Sequence, residues 1–135
     1  MVKKSISKLK KELDKWFSLF IRIRDSENGL AQCFTCGKVD HYKKLQCGHF
    51  QSRRHLSTRW HEWNCQVQCQ KCNIWSQGEQ WKFGISLNAK YGEGTSNELG
   101  FLAQQNGKKM AWELEEDILY YKTIVNNLKK EKGID

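Results

Sequence analysis

Apolar residues recur every three or four positions near the start of the chain, which predicts an amphipathic helix from Ser5 to Arg24. The positions that carry this pattern are Ile6, Leu9, Leu13, Trp16, Phe17, Phe20 and Ile21. The opposite face is mostly lysine, and Asn28-Gly29 marks the turn that follows.

The last third of the chain predicts a second long helix, from about Lys109 to Lys130. Its apolar positions alternate in four- and three-residue steps: Met110, Leu114, Ile118, Tyr121, Val125 and Leu128. Such a seam packs either against the first helix of the same chain or against a second copy, and the pattern leaves both open. A capping box of Thr95 with Glu98 predicts a shorter helix before it, which Asn106-Gly107 ends.

The middle of the chain has short extended segments between positions 31 and 50, broken by Cys36-Gly37-Lys38. This pattern predicts a zinc-knuckle turn followed by a hairpin. From Asn64 to Trp81 the pattern becomes helical, with an interruption at Gln77-Gly78. We therefore predict one α+β domain over residues 1–135, with a basic helix (5–24), a central core (31–81) and a helical C-terminal part (95–131).

Composition and charge narrow the class of protein. Hydrophobic residues make up only 39% of the chain, so its core is expected to be small. No apolar run approaches the roughly 20 residues that cross a bilayer, and the lysine-rich start lacks the apolar stretch of a signal peptide, so we expect a cytoplasmic protein with no membrane partner. The formal net charge of +8 is concentrated in residues 1–24 and 38–59. These segments are the expected contact surface for DNA, although a solvated basic face has the same composition.

Four of the six cysteines form two Cys-x-x-Cys pairs, Cys33 with Cys36 and Cys69 with Cys72. Two such pairs supply the four thiolates of a tetrahedral structural zinc site, whereas thioredoxin-type redox chemistry needs one pair only. We therefore predict that these four residues bind Zn²⁺. Cys47 and Cys65 are expected to be buried thiols, with replacement of a ligand or binding of a second ion as alternatives.

Residue types suited to phosphodiester chemistry lie around and between the two cysteine pairs. A neutral imidazole such as that of His49 can take a proton from water attacking phosphorus, and arginines hold phosphates in place. The candidate phosphate-binding residues are Arg53, Arg54 and Arg59. These residues are equally compatible with a nuclease and with a zinc-dependent DNA-binding module.

Four runs of sequence resemble the phage lambda NinG/Rap family of recombination nucleases. They are Cys33 to Lys38, Gln46 to Arg53, Thr58-Arg59-Trp60 and Asn64 to Asn73. That family is similar to the HNH, or ββα-metal, nucleases and to phage endonuclease VII. The resemblance implies a zinc-stabilised ββα-metal (HNH, treble-clef-like) centre flanked by the long N- and C-terminal helices, in a phage- or prophage-encoded protein.

The resemblance also implies roles for single residues. His49 would be the general base, Asn73 a ligand of a catalytic Mg²⁺ or Mn²⁺, and Asn64 the residue that fixes the loop orienting His49. Most HNH proteins have an aspartate before the histidine as a second metal ligand, but this chain has Gly48 there. Glu79 is the favoured replacement, with Asp40, another histidine or the DNA phosphate as alternatives. His55 and His61 can contact phosphate or metal, or make ordinary hydrogen bonds.

The function that these features imply is metal-dependent cleavage of branched recombination intermediates such as Holliday junctions or D-loops. Cutting two strands of a junction favours a homodimer. The alternatives are an HNH endonuclease without branch preference and a non-catalytic zinc module that binds DNA. Trp60, Trp63, Trp75 and Trp81 are expected to build the core around the zinc, with stacking on unpaired bases as the alternative.

Overall fold

The computed structural model describes residues 3–135, in which helices surround two small sheets. In chain order the elements are α1 (Ile6–Arg24), β1 (Leu30–Gln32), β2 (Val39–His41), β3 (Gln46–His49), α2 (Leu56–Arg59), β4 (Cys65–Gln68), α3 (Gln80–Tyr91), α4 (Thr95–Ala103) and α5 (Ala111–Lys132). A 3₁₀ turn spans Tyr42–Lys44 and a π-helical turn spans Lys71–Trp75. The predicted α+β class is confirmed. Within this range no helix is both long and apolar enough to cross a bilayer.

The two long helices pack against each other and form the main core. Ser5 caps α1 by accepting the backbone N–H of Lys8. The buried residues that α1 and α5 contribute are Leu9, Leu13, Phe17, Phe20, Ile21, Ile23, Leu114, Ile118, Tyr121 and Val125. Phe17 and Tyr121 meet edge to face, with ring centroids 4.9 Å apart. The seam on the last helix therefore packs within the chain, against the first helix.

Each sheet is an antiparallel pair of short strands. β1 pairs with β2, and the turn between them carries Cys33 and Cys36. β3 pairs with β4 in a register that sets Gly48 opposite Gln66 and His49 opposite Cys65. A backbone hydrogen bond of 2.8 Å from Phe34 N–H to the Val67 carbonyl links the two sheets. The cysteine-bearing turn is thereby held beside β4.

The helix predicted from Asn64 is wrong at its start, because residues 65–68 form β4. Apolar and polar residues alternate along β4, as Cys65-Gln66-Val67-Gln68, yet all four are buried, so the strand is not half-exposed as that pattern would suggest. Its two glutamines are buried with their amide N–H groups bonded: Gln66 Nε2 to the Trp63 carbonyl, and Gln68 Nε2 to the Gly78 carbonyl. The interruption at Gln77-Gly78 is confirmed, since Gln77, Gly78 and Glu79 all have positive φ. The helical residues after it are α3, which extends well past the predicted end at Trp81.

Two smaller predictions are also wrong. Thr95 does not cap α4, because it is the first helical residue and its hydroxyl donates to the Gly92 carbonyl at 2.7 Å. Trp75 and Trp81 do not belong to the core, since they are 76% and 81% exposed. Beside the buried cysteines lie the smaller side chains Ala31, Leu45 and Val67, and Trp60 packs instead in the core of the long helices.

The helix pairing predicts a contrast between two leucines of α5. Leu114 is fully buried, so Leu114→Ala is expected to lower the free energy of unfolding by about 2–5 kcal/mol through the cavity it leaves. Leu119 is 65% exposed, and Leu119→Ala is expected to change that free energy by less than about 0.5 kcal/mol. Urea denaturation of the zinc-loaded proteins measures both. Equal losses for the two variants would contradict the α1–α5 packing.

Candidate active site beside a four-cysteine cluster

The four cysteines of the two Cys-x-x-Cys pairs come together in space. Their sulfur atoms all lie within 4.8 Å of one another, and Cys36 Sγ is 3.6 Å from Cys69 Sγ. A tetrahedral zinc ion with Zn–S bonds of about 2.3 Å places its sulfurs about 3.8 Å apart, so the cluster needs little adjustment to bind one. These residues can hold a structural metal such as zinc. The ion would link the β1–β2 turn to the segment that follows β4.

His49 is the last residue of β3, and its imidazole is held by a backbone carbonyl. The Nε2 atom lies 3.0 Å from the Arg59 carbonyl oxygen. Because a carbonyl only accepts hydrogen bonds, Nε2 carries the proton and Nδ1 has the free lone pair. Burial lowers the pKa of His49 below its ordinary value, and the bond to Arg59 only partly opposes this effect. The imidazole is therefore neutral at pH 7 and able to accept a proton.

Asn64 holds the loop that begins just after His49. Its side chain is fully buried, and Oδ1 accepts the backbone N–H of Gln51 at 2.7 Å. Its Nδ2 donates to the carbonyls of Gln51 and Thr58 at 3.1 and 3.0 Å. One carboxamide thus joins both ends of the loop, which also contains Arg53 and Arg54.

Asn73 lies in the π-helical turn directly after the last cysteine of the cluster. Its Nδ2 donates to Gln46 Oε1 at 2.7 Å, which orients the carboxamide and leaves Oδ1 available to a ligand. Asn73 and His49 line the same open cavity, of about 530 Å³, together with Arg53 and His55. The structure therefore brings the predicted histidine and asparagine to one site.

Glu79 does not line this cavity in the part of the chain described. Its carboxylate lies 3.9 Å from the Nζ atom of Lys82, a residue in the first turn of α3. The side-chain oxygen atoms that could bind a metal in this cavity belong to carboxamides and hydroxyls, and no carboxylate is among the residues that line it. The second metal ligand predicted from Glu79 is therefore not brought to Asn73.

Gly48 is glycine because another side chain occupies the space of its Cβ. A Cβ built at this position would overlap Gln68 Oε1. That oxygen is buried and, within residues 3–135, is the one such side-chain atom with no hydrogen-bond partner. The aspartate of the HNH pattern thus cannot be accommodated at position 48 while Gln68 keeps its place. No feature of the sequence indicated this contact between Gly48 and the Gln68 side chain.

The three predicted phosphate-binding arginines have different surroundings. Arg53 and Arg54 are exposed on the loop, and Arg53 also lines the cavity. Asp14 of α1 lies 3.6 Å from Arg53, whose side chain stays 62% exposed. The same carboxylate binds Arg59 through both Nε and a terminal nitrogen, and the Arg59 side chain is only 13% exposed. Asp14 also accepts the Trp60 indole N–H at 2.9 Å. Asp14, which sequence reasoning assigned to the basic first helix, is thus the anchor of the segment that holds His49.

Of the remaining candidate residues, some line the cavity and others do not. His55 is a lining residue, whereas His61 is not, and its Nδ1 accepts the backbone N–H of Trp63 at 3.1 Å. Burial lowers the pKa of His61. Cys65 is fully buried beside His49, and burial raises the pKa of its thiol well above the ordinary value. Cys47 is partly buried and lines the cavity as well.

The fit between Gly48 and Gln68 gives a stability prediction. Gly48→Ala is expected to lower the free energy of unfolding by about 1–3 kcal/mol, because the new methyl group overlaps the Gln68 carboxamide. In a Gln68→Ser background the added cost is expected to be smaller. Gly100→Ala is the control, since its Cβ meets nothing closer than 3.8 Å and alanine favours a helix. Urea denaturation of the wild type, the three single variants and the double variant measures these effects, and equal effects at positions 48 and 100 would contradict the packing described.

Comparison with known proteins places the chain in a family. A family model described as Bacteriophage Lambda NinG protein matches residues 1–131. No curated protein and no solved structure matches the chain. The matched residues include the cysteine cluster and the cavity of His49 and Asn73, and the match suggests a function related to phage recombination. The chain therefore belongs to the bacteriophage lambda NinG family.

Proposed function

We propose that this protein is a DNA endonuclease of the HNH type that hydrolyses phosphodiester bonds in branched recombination intermediates. The observation that carries the proposal is the shared cavity of a neutral His49 and an oriented Asn73, beside the exposed Arg53 and Arg54. In a ββα-metal centre a hairpin delivers the histidine and a following helix delivers a metal ligand. Here the antiparallel pair of β3 and β4 carries His49, and the π-helical turn Lys71–Trp75 carries Asn73. The family match to a phage protein supports the recombination context.

The protein's own groups suffice for the proton transfer at the attacking water. His49 Nδ1 accepts the proton while the water oxygen bonds to phosphorus and a P–O ester bond breaks. The Arg59 carbonyl keeps the proton on Nε2 and so keeps Nδ1 basic. Asn64 fixes the loop after His49, which limits movement of the imidazole relative to the phosphate.

A catalytic Mg²⁺ or Mn²⁺ fits this site only in part. Asn73 Oδ1 would hold the ion, but a neutral carboxamide is a weak ligand where carboxylates are preferred. Mg²⁺ keeps several waters and commonly binds to substrate phosphate, so the ion would bind together with the DNA. When bound, it stabilises the charge that develops on the scissile phosphate and the leaving oxygen.

Binding of branched DNA has support from the charge and from exposed aromatic rings. Arg53 and Arg54 are the proposed phosphate contacts because their side chains are exposed, and Arg59 is left out because its guanidinium is mostly buried against Asp14. Trp75, the last residue of the turn that carries Asn73, and Trp81, on the first turn of α3, are both exposed to solvent. Exposed aromatic rings stack on unpaired bases, which occur at a branch point and not in a continuous duplex. Two such sites in a symmetric homodimer would cut two strands of a junction.

The absence of a carboxylate from the described cavity lining favours one second candidate, a zinc module that binds DNA without cutting it. An endonuclease without branch preference is the other alternative. Cleavage assays distinguish all three, since only the proposed enzyme cuts four-way junctions and flaps faster than a linear duplex of matched sequence in Mg²⁺ or Mn²⁺. No cutting of any substrate in either ion would exclude both enzymes.

Replacing the proposed base is expected to separate cutting from binding. His49→Ala is expected to reduce single-turnover cleavage by about 10²–10⁴-fold, the usual contribution of a general base. Affinity for the junction is expected to stay within a few-fold, because the arginines remain. His61→Ala is the matched control, a partly buried histidine outside the cavity, and it is expected to cut normally. Equal losses in both variants would show that His49 has no special role.

The pH dependence of cleavage follows from the lowered pKa of His49. The active form is the neutral imidazole, so the cleavage rate rises as pH increases through this pKa. Since burial lowers the pKa, the midpoint is expected below the ordinary value of about 6.5, with little further rise between pH 7 and 8. Single-turnover rates at saturating DNA and constant Mg²⁺ measure the profile. A midpoint above pH 7 would be incompatible with His49 as the base.

A further inference from the structure

Two cysteines flank His49 and form a second cluster, apart from the four-cysteine cluster. Cys47 lies two residues before His49 on β3, so both side chains point to one face of the hairpin. Cys65 pairs with His49 across the hairpin and lies on that same face. The two sulfur atoms and one imidazole nitrogen all lie within 4.8 Å of one another.

These donors match the preferences of zinc and related ions. Thiolate and imidazole are the ligands that Zn²⁺ takes, whereas Mg²⁺ takes oxygen. A tetrahedral Zn²⁺ with bonds of about 2.0–2.3 Å requires donor atoms about 3.5–3.8 Å apart. The cluster reaches this geometry if the distances between its donor atoms shorten by about 1 Å. Three protein ligands leave a fourth position for water.

The surroundings of the cluster favour metal binding in two further respects. The Arg59 carbonyl oxygen bonds both His49 Nε2, at 3.0 Å, and Cys65 Sγ, at 3.4 Å, so one backbone group holds the imidazole and a thiol side by side. Cys47 and His49 line both the cavity of Asn73 and a second cavity of about 300 Å³ beside α1. Solvent therefore reaches the cluster from two sides, and an ion has a path to it.

We propose that Cys47, His49 and Cys65 form a second metal site, selective for zinc-class ions, whose occupation blocks the DNA chemistry. Binding of the ion releases the two thiol protons and engages the lone pair of the imidazole. A histidine that coordinates a metal cannot accept a proton from water. The binding claim stands on the cluster alone, and the inhibitory claim rests on the proposed function.

The binding claim is tested on the full chain with cobalt as a visible probe. The protein is first loaded with one equivalent of Zn²⁺, which fills the four-cysteine cluster, and is then titrated with Co²⁺. Zinc binds such ligands more tightly than cobalt, so the first site keeps its zinc. One further equivalent of Co²⁺ is expected to bind, with tetrahedral d–d absorption and thiolate-to-metal charge transfer.

Single substitutions assign the ligands. Cys47→Ser is expected to weaken the second cobalt site at least tenfold and to remove part of the charge-transfer intensity. His49→Gln is expected to weaken it similarly but to keep both thiolate contributions. His61→Ala, with circular dichroism as a check of folding for each variant, is expected to bind cobalt normally. Absence of a second equivalent, or a second equivalent with the same spectrum in Cys47→Ser, would overturn the site.

The inhibitory claim is tested by cleavage in Mg²⁺ at rising free Zn²⁺. The wild-type cleavage rate is expected to fall as free Zn²⁺ rises. When the excess Zn²⁺ is chelated, the rate is expected to return to that of the protein that carries one Zn²⁺. For Cys47→Ser, each rate is divided by the rate of the same variant with one bound Zn²⁺. Half-inhibition of this variant is expected to require at least tenfold more free Zn²⁺ than half-inhibition of the wild type. Cleavage unaffected by a bound second ion would overturn the inhibitory claim. Absence of cleavage under every condition would defeat the proposed function and leave the cobalt result to decide the site.

Discussion

The pairing of β3 with β4 is the constraint on which the candidate site depends. Its register sets His49 opposite Cys65 and brings the turn of Asn73 back beside Gln46. The hairpin is only four residues long on each side, so it has few hydrogen bonds of its own. A metal bound by the four cysteines would compensate, because it would fix the chain immediately after β4 to the turn after β1. It would stabilise the strand pairing and, through it, the relative positions of the imidazole and the carboxamide.

The core between α1 and α5 is connected to His49 of the candidate site by a short series of contacts. Asp14 on α1 binds the guanidinium of Arg59 and the indole of Trp60. The backbone carbonyl of Arg59 in turn holds His49 Nε2. The basic first helix therefore has a role beyond its charge, since its Asp14 carboxylate positions the segment that selects the histidine tautomer. Arg59, which the sequence predicted to bind phosphate, makes this structural contact instead.

Carboxamides take the positions where metal-dependent nucleases use carboxylates. Asn73 faces the cavity, Gln46 orients it, and Gln68 fills the space beside Gly48. Neutral ligands attract a divalent cation weakly, so in the proposed enzyme the DNA phosphate would complete the metal site. The same shortage of hard oxygen ligands leaves Cys47, His49 and Cys65 as the strongest donors near the cavity for a zinc-class ion. Both features follow from which side chains line β3 and β4.

Local patterns in the sequence were sufficient for the two long helices and the two-part cysteine cluster, whereas the roles of His49 and Asn73 rest on the family resemblance and stay predictions. Helical periodicity and Cys-x-x-Cys spacing act over a few residues, so they can be read without the fold. The tertiary structure decided what depends on distant partners. It made residues 65–68 a strand through pairing with β3, exposed Trp75 and Trp81, joined Arg59 to Asp14, and placed Gln68 against Gly48. Each of these outcomes is set by contacts between residues far apart in the chain, and no local pattern encodes which of the available partners a buried side chain will meet.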